Sequence, residues 1–146
     1  MKIVVSLSFQ GQCREALEFY AKVLGGKVTA AFPFGDGPPD MPVDARYKDW
    51  LMHGWLEVGD QAIMGSDIPP EFGPNISKPK NGFDVAYHTE DAAKGKAVFD
   101  ALAEGGRVVM PFAETFWSPG YGSLIDRFGI PWMVNTMPAQ AWKPGG

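Results

Sequence analysis

His53 is the side chain in this sequence best suited to proton transfer. It lies in segment 51–58, where Leu51, His53, Trp55 and Glu57 alternate with Met52, Gly54, Leu56 and Val58. Such alternation is typical of a strand with one packed face and one face toward a cup or solvent. A neutral imidazole titrates near physiological pH, so we consider His53 a candidate catalytic general base. The alternative is a half-buried His that is hydrogen-bonded to a neighbour.

A second group of candidates lies near the end of the chain, in a stretch rich in aromatic residues that includes Phe116, Trp117, Tyr121 and Trp132. Ligand pockets are mostly apolar with a few placed polar groups. The stretch therefore predicts a binding site formed by Phe116, Trp117 and Tyr121, with Glu114 and Asn135 as polar anchors. The alternative is core packing, which we favour for Trp132.

Three further residues have chemistry that the sequence leaves less defined. Asp67 follows Ser66 at the end of a predicted strand, where it is either a binding residue or a turn-initiating Asp. Cys13 begins a predicted helix, whose N-terminus can lower a thiol pKa. No His or acid can be assigned as its partner, so we do not expect a catalytic thiol. We expect His88 to be a surface residue where a strand meets a helix.

Composition excludes several classes of protein. The net charge is −4 and no basic stripe is present, so we expect no nucleic-acid partner. A single Cys cannot form an internal disulfide, which is typical of a cytoplasmic protein. The N-terminal apolar run is too short for a signal peptide, and no run is long enough to span a membrane. We therefore expect no membrane association.

These candidates are set in a repeated sequence with a constant offset of 80 residues. Five residues of the first half recur in the second: Val5, Phe19, Gly25, Gly26 and Val28 match Val85, Phe99, Gly105, Gly106 and Val108. A fixed long period indicates a duplicated supersecondary unit. The apolar periodicity predicts helices over 12–24 and 91–104, with Asp91 as an N-cap and Gly-Gly pairs as stops.

The predicted strands complete two units of the same order. They cover 2–9, 27–34, 50–58 and 61–67 in the first unit, and 82–88, 107–111, 121–126 and 130–136 in the second. The fold class is therefore α+β, with two tandem βαβββ modules forming a curved mixed sheet. We expect one domain over 1–137 with repeats 1–67 and 81–137, a Pro-rich linker 68–80 and a flexible tail 138–146.

Particular motifs resemble the PhnB-like branch of the glyoxalase, bleomycin-resistance and extradiol-dioxygenase superfamily, also called vicinal oxygen chelate proteins. They are Glu114-Thr115-Phe116-Trp117, Tyr121-Gly122, Asp126, Phe128-Gly129 and 131–135, with Cys13-Arg14-Glu15-Ala16 and Leu24-Gly25-Gly26 in the first half. Some members of this branch carry a demethylubiquinone methyltransferase label. The sequence lacks the Gly-rich loop that a nucleoside cofactor needs, so it does not support that activity.

The resemblance also implies where a metal would bind. The ligand positions of metal-dependent relatives fall near Val5, His53, Asp84 and Met133. Val5 and Met133 offer no ligand to a hard divalent ion, and a catalytic site needs at least three good N or O ligands. We therefore expect no full metal site, with His53 and Asp84 as weak candidate ligands, and the cofactor is unknown.

Two functions follow from the resemblance. The first is an enzyme acting on a small organic molecule in a cup, with His53 as base, either metal-free or as a metal-dependent lyase, isomerase or dioxygenase. The second is a protein that sequesters an aromatic compound without turnover, as resistance-type members do. We expect a homodimer, since each module leaves a sheet edge exposed and two-fold dimers are the commonest assemblies.

Overall fold

The computed structural model describes residues 1–40, 43–73 and 80–137 and forms two compact units, Met1–Ile76 and Ser77–Gly146. The predicted flexible tail and residues 74–79 of the predicted linker lie outside the described residues. The first unit contains β1 (Val5–Phe9), α1 (Cys13–Leu24), β2 (Lys27–Pro33), β3 (Leu51–Val58) and β4 (Gln61–Asp67). The second contains β5 (Val85–Thr89), α2 (Ala92–Ala103), β6 (Arg107–Ala113), β7 (Gly120–Ile125) and β8 (Pro131–Thr136).

Each unit is a four-stranded mixed sheet with one helix, which confirms the predicted tandem βαβββ fold. The strand orders are β1-β4-β3-β2 and β5-β8-β7-β6. β1 and β5 run parallel to β4 and β8, whereas the other pairs are antiparallel. The strands begin or end up to three residues from the predicted bounds, which is the usual uncertainty of boundaries read from sequence.

The Gly-Gly pairs end both helices for the same two reasons. Gly25 and Gly105 have φ values of 73° and 74°, the left-handed conformation that favours glycine. A Cβ on Gly26 would collide with the Glu57 carbonyl oxygen, and one on Gly106 would collide with that of Ile125. The second glycine of each pair therefore lies where the chain leaving the helix passes close to the backbone of the sheet.

The two helices cover one face of their sheets with apolar side chains. Leu17 and Tyr20 of α1 are fully buried, as is Leu102 of α2. Trp132 is 1% exposed and donates to the Asp126 carboxylate at 2.9 Å, which confirms its prediction as a core residue. Asp126 also accepts from the backbone N–H groups of Phe128 and Ile130, and so orders the turn between β7 and β8.

The strand β3 departs from strict alternation at its start. Phe32 pairs with His53 and Pro33 with Leu51, which leaves Met52 as an extra residue. Leu51 is fully buried and lies beside Gly54, on the face covered by α1. The prediction that Leu51 shares a face with His53 is therefore wrong, because a β-bulge reverses the side-chain direction.

Candidate functional site

An apolar cavity of about 450 Å³ lies in the first unit, at the end of its sheet. Its walls come from β3, β4 and the segments that follow β2 and β4. Ser66 faces away from α1, because its neighbour Gly65 faces the helix residues Cys13 and Leu17. The lining residues are Phe34, Val43, Met52, Ser66, Asp67, Ile68, Pro69 and Phe72.

Asp67 accepts hydrogen bonds from the backbone at the end of the sheet where this cavity lies. Its Oδ1 accepts from the N–H groups of Gly11 at 2.7 Å and Cys13 at 3.1 Å, and its Oδ2 accepts from that of Leu51 at 2.9 Å. The side chain is 1% exposed. Asp67 thus ties β4 to the start of α1 and the start of β3. This structural role differs from the turn-initiating role considered above, and a ligand contact by Asp67 remains a prediction.

In the second unit, the position that corresponds to Asp67 is occupied by Thr136. Phe9 pairs with Asp67 in the first unit, and Thr89 pairs with Thr136 in the second. Helix α1 has no side-chain cap from Gln12, whereas α2 is capped by Asp91, which accepts from Ala93 and Lys94 as predicted. Asp67 therefore supplies from a distant strand the cap that α1 lacks locally.

Cys13 lies against this network and is not a reactive thiol. It is 0% exposed. Burial, together with the negative charge of Asp67, raises the pKa of Cys13 to about 12. A thiolate is the nucleophilic form of Cys, so this environment keeps Cys13 inert near neutral pH and agrees with the expectation from sequence.

Two exposed segments beside the cavity are joined by an ion pair. Arg46 contacts Glu71 at 3.1 Å and Asp44 at 3.3 Å. The Arg46 guanidinium also lies 5.0 Å from the ring centre of Tyr47, which is buried and packs on Trp50 at 4.4 Å. The segment that contributes Val43 is therefore connected to the one that contributes Phe72. Exposed ion pairs contribute at most about 1 kcal/mol each, so this connection between the two segments is weak.

His53, the predicted general base, is half-buried on the sheet face opposite α1. Its ring centre lies 6.3 Å from that of Trp55. Met52, Ser66 and Asp67 line the cavity, but His53 does not. The structure therefore places His53 in the same sheet as the cavity without bringing its imidazole into the lining.

The predicted aromatic cluster is found in the second unit. Trp117 contacts Phe116 and Tyr121 with ring centres 4.7 Å and 5.4 Å apart, both in edge-to-face geometry. Asn135 lies directly opposite Tyr121 in the β7–β8 pair. The structure therefore brings together Trp117, Tyr121 and Asn135, whereas Glu114 is exposed. Their binding role remains a prediction.

The residues implied for a metal do not fit one within the part of the chain that the structure describes. No three His, Cys, Asp or Glu side chains converge there. Val5 is aliphatic and pairs with Ile63, and Met133 pairs with Ser123 in β7. His53 pairs with Phe32, and Asp84 is exposed in the other unit. The absence of a metal requirement stays a prediction.

Comparison with known proteins settles the family. The model of the Glyoxalase/Bleomycin resistance protein/Dioxygenase superfamily matches residues 3–134. The chain belongs to this superfamily. It is 32% identical over 142 residues to Protein YjdN of Escherichia coli strain K12, covering 92% of this chain and 94% of that protein. The resemblance inferred from the sequence motifs is thus confirmed.

Solved structures agree with the fold. The crystal structure of protein PA1353 from Pseudomonas aeruginosa has 42% identity and a TM-score of 0.83, covering 93% of this chain and 97% of that one. A Bacillus cereus structure described as a putative 3-demethylubiquinone-9 3-methyltransferase, PhnB protein, has 22% identity and a TM-score of 0.76, covering 94% and 100%. The latter similarity shows a shared fold. No helix in the described ranges is both long and apolar enough to cross a membrane.

Proposed function

We propose that this protein binds a small, largely apolar organic molecule in the cavity of the first unit. The cavity itself carries the proposal. Its volume of about 450 Å³ is typical of small-molecule sites, and six of its eight lining side chains are apolar. Burying apolar surface contributes about 25 cal/mol per Å², so such walls favour a hydrocarbon or aromatic body.

The two polar side chains of the lining, Ser66 and Asp67, have different roles. The Asp67 carboxylate already accepts three backbone N–H groups, so it holds the walls in place. The Ser66 hydroxyl both donates and accepts, and it is the group in the lining that we assign to a ligand hydroxyl or carbonyl. The expected ligand therefore has an apolar body and one hydrogen-bonding group.

A thermal-shift titration with two probes of similar shape tests this function. Phenethyl alcohol carries a hydroxyl that propylbenzene replaces with a methyl group. A ligand that binds only the folded state raises the melting temperature. We expect both probes to stabilise the protein, phenethyl alcohol more strongly, and Ser66→Ala to remove the difference between them.

Variants separate the cavity from surface binding. Met52→Trp fills the cavity and should abolish both shifts. Met110→Trp is the matched control, because Met110 is 45% exposed on β6 of the other unit and should leave both shifts unchanged. Shifts that survive Met52→Trp would contradict the proposal.

A second candidate is catalysis with His53 as general base. Its support is that His53 and Ser66 lie in one sheet on the face opposite α1. In that case His53→Ala should abolish turnover of a substrate while binding of phenethyl alcohol persists. Detection of a product that requires His53 would establish an enzyme, and binding without a product would establish a sequestering protein.

A further inference from the structure

The second unit presents a rigid aromatic surface that the cavity function does not use. Phe116 is 97% exposed and Trp117 is 46% exposed. The rings of Phe116, Trp117 and Tyr121 contact one another edge to face in series. Exposed aromatic groups of this kind mark interaction sites more often than scattered single residues do.

The loop that carries these rings is held by hydrogen bonds. The Thr115 hydroxyl accepts from the N–H groups of Trp117 at 3.4 Å and Ser118 at 3.1 Å. The buried Ser118 hydroxyl contacts the carbonyl oxygens of Gly120 and Thr136 and accepts from the Gly120 N–H. The backbone that carries the aromatic side chains is therefore preorganised, which lowers the entropic cost of binding.

Asn135 adds a polar side chain, whose oxygen is unpaired among the described residues, on the sheet face from which Tyr121 projects. Tyr121 points away from α2, because the positions of Gly120 and Gly122 on either side face Phe112 and Phe99. Asn135 is the cross-strand partner of Tyr121, so the two side chains project from one face with Cβ atoms about 5 Å apart.

The amide of Asn135 is poorly matched within the protein. The side chain is 6% exposed, and its Oδ1 has no hydrogen-bond partner among the described residues. Its Nδ2 donates to the Met137 thioether at 3.0 Å, and sulfur is a weak acceptor. A ligand amide would supply both a donor for Oδ1 and a better acceptor for Nδ2 in place of the Met137 side chain.

We propose that Trp117, Tyr121 and Asn135 bind a flat aromatic molecule that carries a carboxamide-type pair of donor and acceptor. The ring of the ligand packs against Trp117 and Tyr121. Its donor and acceptor pair in two parallel hydrogen bonds with the Asn135 amide, the geometry by which Asn recognises the adjacent donor and acceptor of adenine. This site lies in a different unit from the cavity and is independent of the function proposed above.

Calorimetric titration with three probes tests the site. Benzamide has the ring and the amide, methyl benzoate has the ring without the donor, and cyclohexanecarboxamide has the amide without the aromatic ring. We expect benzamide to bind with at least about tenfold higher affinity than either analogue, since a good bidentate pair gives discrimination of this order or greater.

Variants assign the binding to named side chains. Trp117→Ala and Asn135→Leu should each lower benzamide affinity about tenfold or more. Asn135→Asp keeps the size of the side chain and removes its donor, so it tests the pairing if the Leu variant fails to fold. Phe32→Ala is the control, because Phe32 is an exposed aromatic residue of the first unit. All of these titrations use the Met52→Trp background, whose filled cavity excludes binding of the probes in the first unit.

The proposal is overturned by any of three results. They are no saturable benzamide binding up to its solubility limit, equal affinities for benzamide and methyl benzoate, and an unchanged affinity in a folded Trp117→Ala variant. Loss of phenethyl alcohol binding in Met52→Trp with retained benzamide binding would show that the two sites are separate.

Discussion

Replacing Asp67 with Ala should destabilise the first unit far more than an ordinary cap mutation. The variant removes the acceptor of three backbone N–H groups, those of Gly11, Cys13 and Leu51. A buried donor left unsatisfied costs about 1–3 kcal/mol. Water reaches the part-buried Gly11 N–H more readily than the other two, so we expect a total loss of about 4 kcal/mol in the free energy of unfolding.

The second repeat supplies a matched control. Asp91→Ala also removes an Asp that caps a repeat helix, but the hydrogen bonds of Asp91 to Ala93 and Lys94 are exposed. Loss of such a cap costs about 1 kcal/mol. Urea denaturation at unchanged m value compares the two variants. Hydrogen exchange should accelerate in α1 for the first and in α2 for the second. Equal losses of stability would refute the role we assign to Asp67.

Three further predictions follow from other features. Above pH 9.0, the ordinary pKa of the thiol, Cys13 ionises in the unfolded chain but stays protonated in the folded protein, where its pKa is raised to about 12. The free energy of unfolding should therefore fall by about 1.4 kcal/mol per pH unit from pH 9 toward 12. Cys13→Ala should remove this part of the alkaline slope in urea midpoints, and an unchanged slope would contradict it. His53→Ala should cost little stability if His53 faces a ligand, and about 1–3 kcal/mol if it is a buried hydrogen-bonded residue; denaturant midpoints measured beside ligand affinity distinguish the two. Light scattering coupled to size exclusion should give about twice the 15.9 kDa chain mass if the protein is a homodimer, whereas a monomer at micromolar concentration would disprove it.

The helices of both units could be predicted because the signals that begin, form and end them are local in sequence. The Gly25-Gly26 and Gly105-Gly106 pairs mark backbone positions that only glycine fills without strain or collision. Apolar periodicity fixed the helix faces, and the Asp91 cap precedes its own helix by one residue. Each of these signals depends on neighbours close in sequence, so the sequence was sufficient to identify them.

The cavity depends on contacts that are distant in sequence. Asp67 bonds to N–H groups 54 and 56 residues earlier, and nothing near Asp67 indicates those partners. The bulge at Met52 turns Leu51 toward α1, which strict alternation does not predict. The prolines of the segment after β4 predict a linker, yet Ile68, Pro69 and Phe72 line the cavity.

The aromatic cluster of the second unit could be predicted in part from the sequence. The sequence predicted that Phe116, Trp117 and Tyr121 lie together, and their rings are in contact, whereas their binding role stays a prediction. The sequence could not show that Asn135 lies opposite Tyr121, because that pairing is set by the register of β7 and β8.

The central claim, a ligand site in the first unit, is tested most directly by nuclear magnetic resonance of methyl-labelled methionine during a phenethyl alcohol titration. Met52 lines the cavity, and Met110 is exposed in the other unit. The account predicts a saturable shift of the Met52 methyl signal and a constant Met110 signal. A constant Met52 signal while the protein is stabilised by the probe would contradict it.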